Sequence, residues 1–456
     1  MSGANDVTSP ATTDGFSQSA FENFLNGRNE PGWLVDRRRK AFNLFQTLVL
    51  PTSREEEWRR TDIRGFKLKA FSPPVGNTAT AEEAAPLIPL WDALSSHYAT
   101  GLAQANGCLA RSADPARLGG VILTDLATAS REYPEILKKY LFQEDLAAKP
   151  DFFSALHAAF WTGGTLLYVP KGVHLEQPLF SLIGMTSRGD VDLEHTLVVL
   201  EDESSATLIR EASSAGRSGT PALHAGAVEL FLNRGSRLRF VNIQNWDAST
   251  WHFSRERAFV GKNAKLQWTV GALGSRLSKV NQEVALTGEG ARAQVNGVMF
   301  TTGKQHLAYF TRQDHQAPNT FSDLLYKAGL KDHSRIVWKG MIRVEKDAQK
   351  TDAYQKNENL ILSDAARADS IPGLEIEAND VRCTHGATAG RVDEEMIFYA
   401  QARGVSRETA IRLIVEGFFA NVYDRISVEP VRETLRAAVA EKLELSPESL
   451  DSRATI

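Results

Sequence analysis

Apolar residues change their rhythm twice along the chain. From about residue 19 to 50 they recur every three or four positions. Leu34, Ala41, Phe45 and Leu48 share a side with Arg38, and Pro51 ends the run, which predicts helix. A compact charged element covers 53–63, where Ser53 and Glu56 have capping-box spacing. Residues 72–89 are rich in Pro, Ala and Thr and predict a linker, and helical patterning resumes between 134 and 160. Residues 1–16 are small and polar and predict a disordered tail.

From about residue 162 the pattern becomes short apolar runs broken by Gly, Asn, Asp or Ser. Examples are TLLYVP (165–170), TLVVL (196–200), AVELFL (227–232), KLQWTV (265–270), RIVWKG (335–340) and LEIE (374–377). These are strand signals, and they continue for over 200 residues, so the core is all-β. Sandwich, barrel and parallel β-helix all fit a region of this size. Turns such as EDESS, NRGS, GKNA and TGEGA lack Asn-Gly hairpin chemistry, which favours the β-helix. After Gly390 helices return. Asp393 can cap one that ends near Gly404, and Ser406 can cap a second with the stripe Ile411, Val415, Phe418 and Val422. A third run occupies 430–443. The expected layout is a tail at 1–16, a helical region at 17–161 with its linker at 72–89, a β core at 162–390 and a helical domain at 391–456.

Composition narrows the function classes. The 456 residues are 42% hydrophobic and 24% charged, as in an ordinary globular protein. A net charge of −4 argues against a general nucleic-acid binder, which needs a basic excess. No apolar run reaches the roughly 18–20 residues that span a bilayer, so no membrane partner is expected. The N-terminus lacks the apolar stretch of a secretory leader, and a cytoplasmic address is expected. Two cysteines, Cys108 and Cys383, exclude a disulfide framework and a self-sufficient four-cysteine site.

Most chemistry-bearing motifs are missing. GEGARA (288–293) leads into a strand and reads as a turn, not a dinucleotide fingerprint. The sequence has no HExxH, Gly-x-Ser-x-Gly or CxxC, so any nucleotide hydrolysis would belong to another chain. His157, His174, His195, His224, His252, His306, His315 and His333 have no ligand-spaced partner and read as hydrogen-bonded structural residues. Cys108 reads as an inert thiol.

The informative stretch is LEIEANDVRCTHGATAG (374–390). In an extended chain Cys383 and His385 project from one face, roughly 6–7 Å apart. A thiolate beside an imidazole suits zinc, iron or an iron–sulfur intermediate. It also suits a Cys–His nucleophile pair, and it equally describes a buried thiol next to a structural histidine. If the pair binds metal, two donors fall short of the usual four, and a second chain is the simplest source of the rest.

The run SDLLYKAGLKDHSRIVWKGMIRVEKDAQKTDAYQKNENLILSDAARADSIPGLEIEANDVRCTHGATAG, followed by FYAQARGVSRETAIRLIVEGF, resembles the SufB/SufD family of iron–sulfur cluster assembly scaffolds, nearest its SufD branch. Weaker similarity covers TGGTLLYVPKGVHLEQPL and EEEWRRTDI. The resemblance implies a right-handed parallel β-helix between helical N- and C-terminal regions, with no catalytic activity of its own. It implies pairing with a SufB-like chain through the end of the β-helix, with Cys383 and His385 at that interface holding a nascent iron–sulfur cluster. It further implies that the C-terminal helices, around Phe398, Tyr399, Arg403 and Gly404, dock a SufC-like ABC ATPase. A flavin is a further candidate cofactor of the complex, and a second copy of the chain is an alternative partner. Two other readings stay open: a SufB-type chain that accepts sulfur on Cys383 or Cys108, and a β-helix carbohydrate-active enzyme, which would need clustered carboxylates. AQKTDAYQKNENL (348–360) reads either as a solvated strand or as a polar edge strand for a partner's sheet.

Overall fold

A computed structural model describes residues 14–74, 79–98, 100–113, 119–143, 151–186, 190–216 and 219–444. Strands begin earlier than the sequence pattern suggests. β1 (Thr100–Ala105) and β2 (Cys108–Ser112) form an antiparallel hairpin, and β3 (Ile122–Asp125) pairs antiparallel with β4 (Gly164–Val169). These three strands lie within the region expected to be helical. They are short and flanked by turns, so their apolar residues do not build a run long enough to signal strand.

From β4 onward the chain alternates between two parallel sheets. The first sheet stacks β5 (Leu179–Thr186), β8 (Ser205–Ala215), β10 (Arg237–Asn245), β12 (Lys265–Ala272), β14 (Arg292–Thr301), β16 (Phe321–Leu330), β18 (Asp352–Ile361) and β20 (Arg382–Arg391) on β1. The second stacks β7 (His195–Leu200), β9 (Ala222–Leu232), β11 (Thr250–Val260), β13 (Leu277–Leu286), β15 (His306–His315), β17 (Arg335–Val344) and β19 (Arg367–Ile376) on β4. A two-residue strand, β6 (Val191–Asp192), pairs with β9. Parallel strands stacked turn upon turn make a β-helix, the fold expected. In-register positions Arg237, Lys265, Arg292, Phe321, Asp352 and Arg382 are 28, 27, 29, 31 and 30 residues apart.

Alternation along each strand divides lumen from surface. Leu238, Phe240, Leu266, Trp268, Val295 and Leu324 face inward and join Val260, Val280, Leu307 and Trp338 from the other sheet in one apolar core. Burying each such side chain contributes about 1.5–3 kcal/mol. The outward residues Val241, Ile243, Val298, Phe300 and Leu325 are covered by the C-terminal helices. Those helices are α8 (Glu394–Gln401), α9 (Arg407–Tyr423) and α10 (Glu429–Glu444), numbered after α1 (Gln18–Asn26), α2 (Gly32–Thr47), α3 (Ala81–Ala84), α4 (Ile88–Ser95), α5 (Leu126–Glu132), α6 (Pro134–Tyr140) and α7 (Phe152–Phe160).

The N-terminal region departs from expectation in three places. Phe16, at the end of the expected tail, is 1% exposed and packs edge-on against Phe160, and residues 1–13 lie outside the described residues. The cap near residue 53 falls one position early: Glu55 Oε1 accepts the Thr52 N–H at 2.8 Å, ahead of a 3-10 turn at Glu56–Trp58. Within the expected linker, Thr80 and Glu83 form a capping box that starts α3, and α4 follows. The two prolines there, Pro86 and Pro89, sit in first turns, where a missing N–H costs nothing. Residues 75–78 lie outside the described residues. Arg38 is fully buried in α2, held by Glu30 at 2.6 and 2.7 Å and by the Ala159 carbonyl, with its guanidinium over Trp161. Burial alone would raise the Glu30 carboxyl, but Arg38 and Arg28 hold it below the ordinary range.

Candidate functional site

Both sheets end at the same turn. β19 and β20 are the terminal strands of their sheets, so each offers one side of its backbone unpaired. At the other end the stacks finish in the antiparallel strands β2 and β3.

Register places the signal residues at this open end. Phe240, Trp268, Val295, Leu324, Gln355 and His385 form one inward column across the first sheet, and Leu238, Leu266, Ala293, Ser322, Ala353 and Cys383 form the next. Every earlier member of these columns is at most 4% exposed. His385 is exposed and Cys383 half-buried, because no further turn covers them. The two side chains therefore point into a lumen that opens at their strand. The common face expected from their spacing is the inward face of the last strand.

Their surroundings differ. Cys383 packs against the apolar cluster of Ile342, Val344, Ala353 and Ala378. Burial pushes its thiol up, Asp352 adds to this, and a backbone hydrogen bond with Ala353 works the other way. Below His385 the layer is polar. Gln355, Asn357 and Asn359 of β18 face the lumen at 0–3% exposure. Gln355 donates to the Gly373 carbonyl at 3.0 Å, and Asn359 donates to Asn357, Ser370 and the Thr388 carbonyl. Gln355 Oε1 has no hydrogen-bond partner among the described residues. The amide-rich segment 348–360 is thus neither a solvated strand nor an edge: β18 is interior, paired on both sides, with its amides turned inward. Leu374 and Ile376 of β19 belong to the same open end and are 37% and 41% exposed.

Among the described residues, no three His, Cys, Asp or Glu side chains converge as a metal site. Cys383 and His385 stand as a pair of donors. Cys108 is buried, and burial lifts its thiol to about 11, which suits an unreactive residue.

The C-terminal helices carry the second candidate surface. Asp393 caps α8, accepting the Glu395 N–H at 2.8 Å, and Ser406 caps α9 through the Thr409 N–H, both as expected. Gly404, at φ +83°, takes the left-handed turn between them. Ile397 is buried, whereas Met396, Phe398, Tyr399 and Leu413 are all more than half exposed. Arg403 stacks on Tyr399 at 3.4 Å from the ring centroid. Phe398, Tyr399 and Arg403 thus form an exposed aromatic and cationic patch. Val415 and Val422 of the predicted stripe are buried against the first sheet, with Ile411 and Phe418 partly so.

Sequence reasoning missed the contacts among histidines. His157 meets His195 at 3.1 Å, and His224 meets His252 at 2.8 Å, all fully or nearly buried. The signal lay in the turn length: residues a turn apart meet across adjacent strands, as His224 and His252 do. No helix of the described residues is long and apolar enough to cross a membrane.

Comparison with known proteins adds an independent line. Residues 183–418 match the family model "SUF system FeS cluster assembly, SufBD core domain", and residues 93–180 match "SufBD protein N-terminal region". The chain is 27% identical to an "Iron-sulfur cluster assembly SufBD family protein" of Staphylococcus aureus (strain MRSA252), covering 91% of this chain and 90% of that protein. A protein of the same description from Staphylococcus haemolyticus (strain JCSC1435) is also 27% identical, with the same coverage.

Proposed function

Because the chain belongs to the SufBD family of iron–sulfur cluster assembly proteins, we propose that it is a non-catalytic scaffold subunit whose open β-helix end meets a second SufBD-type chain. The nascent iron–sulfur cluster is cargo built at that junction. Cys383 and His385 supply part of its ligand set and the facing chain supplies the rest. The observation that carries this reading is the exposure of two lumen columns only where Cys383 and His385 terminate them. A thiol and an imidazole are soft and borderline donors, suited to iron and sulfide. A ligating thiol must lose its proton, and burial on the apolar side of the pocket works against that loss at Cys383.

The patch of Phe398, Tyr399 and Arg403, closed by Gly404, docks an ABC-type ATPase. Exposed aromatics and arginine are the side chains enriched at the cores of protein interfaces. Movement there can reach the β-helix, because α9 and its flanks are tied to it. Lys327 donates to the Phe418 carbonyl at 2.7 Å, Arg425 pairs with Asp323 at 2.9 Å, and Lys331 donates to the Leu443 carbonyl at 2.9 Å. All three β-helix residues lie on β16 or directly after it, two strands from β20. ATP-driven closure of the docked ATPase would pull on these ties and open the junction.

Co-expression with a SufB-like and a SufC-like chain tests the assembly. The expected result is one complex containing all three chains, and loss of the ATPase alone from the Phe398→Ser variant. Retention of the ATPase by that variant would remove the patch from the account.

A further inference from the structure

Several turns from the open end, α7 and the Glu56–Trp58 turn lie over the outer face of the second sheet and leave a cleft there. Its floor is built by outward residues of β9, β11 and β13, and Phe153 stacks on Phe253 at 3.6 Å in its wall. Lys279 of β13 points into this space, since its neighbours Ser278 and Val280 turn to the lumen side. The cleft has about 60 Å³ of room, several times the roughly 10–15 Å³ that one water needs.

Lys279 is only 3% exposed. Its Nζ lies 3.0 Å above the centre of the Phe310 ring and 5.6 Å from Trp58, and it donates to Asn281 Oδ1 at 3.1 Å. An ammonium carries three N–H donors, and among the described residues this one has a single hydrogen-bond acceptor. Among the described residues no carboxylate pairs with it. The acids on the surrounding elements are engaged elsewhere. Asp151 caps α7 through the Ser154 N–H at 2.7 Å, and Glu56 pairs with Lys339. Glu283 pairs with Arg257, and Glu229 accepts the Phe142 and Gln143 N–H groups and contacts His195. Glu57 acts on Lys279 only at a distance. Burial lowers the lysine, Glu57 and Asp151 partly oppose it, and Lys339 adds a smaller lowering, which together leave it at about 7. A buried cation without a counter-charge is costly, and here the empty space lies beside it, with Arg255 as a second cation in the lining.

We infer that this cleft binds a small anion, a carboxylate or tetrahedral oxyanion of a few heavy atoms, against the Lys279 ammonium. Trp58, Phe153 and Phe253 give the cleft aromatic walls beside the ammonium, and lower local polarity strengthens the pairing.

Trace carbamylation of the full-length protein by cyanate, quantified by mass spectrometry, tests this directly. Cyanate attacks the neutral amine, so a bound anion that holds Lys279 charged and fills the cleft protects it. With formate or inorganic phosphate at about ten times its dissociation constant, labelling of Lys279 falls about tenfold, as mass action requires. Labelling of Lys339, paired with Glu56, stays constant. Protection by formate alone identifies a planar carboxylate ligand, and protection by phosphate a tetrahedral one. Equal effects on Lys279 and Lys339, or none on either, overturn the proposal. Lys279→Met supplies a second readout: the rise in unfolding temperature caused by the protecting anion disappears in the variant. An unchanged rise overturns the proposal as well. Should the variant not fold, the labelling of the native chain decides.

Discussion

Single residues in this protein are governed by which way they face and how far along the stack they sit. The facing was legible: the parity of Cys383 and His385 follows from the two-residue period of a strand. Their exposure was not, because identical parity at Gln355 one turn earlier leads to complete burial. The histidines show the same division. His315 is fully buried between Thr320 Oγ1 at 2.7 Å and Ser322 Oγ at 2.8 Å, as a structural histidine should be. Burial lowers its pKa to about 4, against about 6.5 in an unfolded chain. Above 6.5 neither state is protonated and the residue's full contribution is present. As pH falls from 6.5 toward 4, only the unfolded state takes the proton, so stability is lost. His315→Gln removes the titration and keeps a hydrogen-bonding side chain. Between pH 7 and pH 5 the stability gap between native protein and variant should shrink by about 2 kcal/mol, measured by urea unfolding at both values. A gap independent of pH would contradict this origin.

At the scale of elements, strand content was legible and the turn length was not. The inward positions of successive turns change identity, from Trp268 to Val295 to Leu324 to Gln355, so no motif repeats although the length does. Polar composition misled at 348–360 because a β-helix lumen tolerates amides that bond across turns, as Asn359 does with Ser370. The 72–89 segment misled because proline in a first turn starts a helix as readily as it breaks one. The edge strands carry a prediction. Ile376→Lys places a charge on an exposed edge, a device that blocks strand pairing. Monomer stability should change by no more than about 0.5 kcal/mol, while affinity for the second scaffold chain drops at least about tenfold, roughly 1.4 kcal/mol. Guanidinium unfolding and light scattering read the two quantities, and undiminished pairing would move the interface elsewhere. The C-terminal helices offer the converse contrast. Phe419 is fully buried and packs near Phe300, so Phe419→Ala should cost about 3–5 kcal/mol. Phe398 is exposed, and Phe398→Ser should leave unfolding unchanged within about 0.5 kcal/mol.

The whole molecule is a stack whose parallel turns run out at β19 and β20 on one end and give way to the antiparallel strands β2 and β3 on the other, with a helical domain fastened to its side. The open end presents two unpaired strand edges, two exposed apolar side chains, and the thiol and imidazole of Cys383 and His385. On the proposed reading, half a coordination sphere at such an end acts only within an assembly. The sequence motif and the open end point the same way from different grounds: one counts donors, the other counts covered turns. The most direct measurement is anaerobic cluster reconstitution on the complex with SufB-like and SufC-like chains, followed by absorption spectroscopy, comparing native protein with His385→Ala. The variant should fold and assemble like the native chain and develop little or no iron–sulfur absorption. Full reconstitution on an intact His385→Ala complex would contradict the ligand role at the centre of this account.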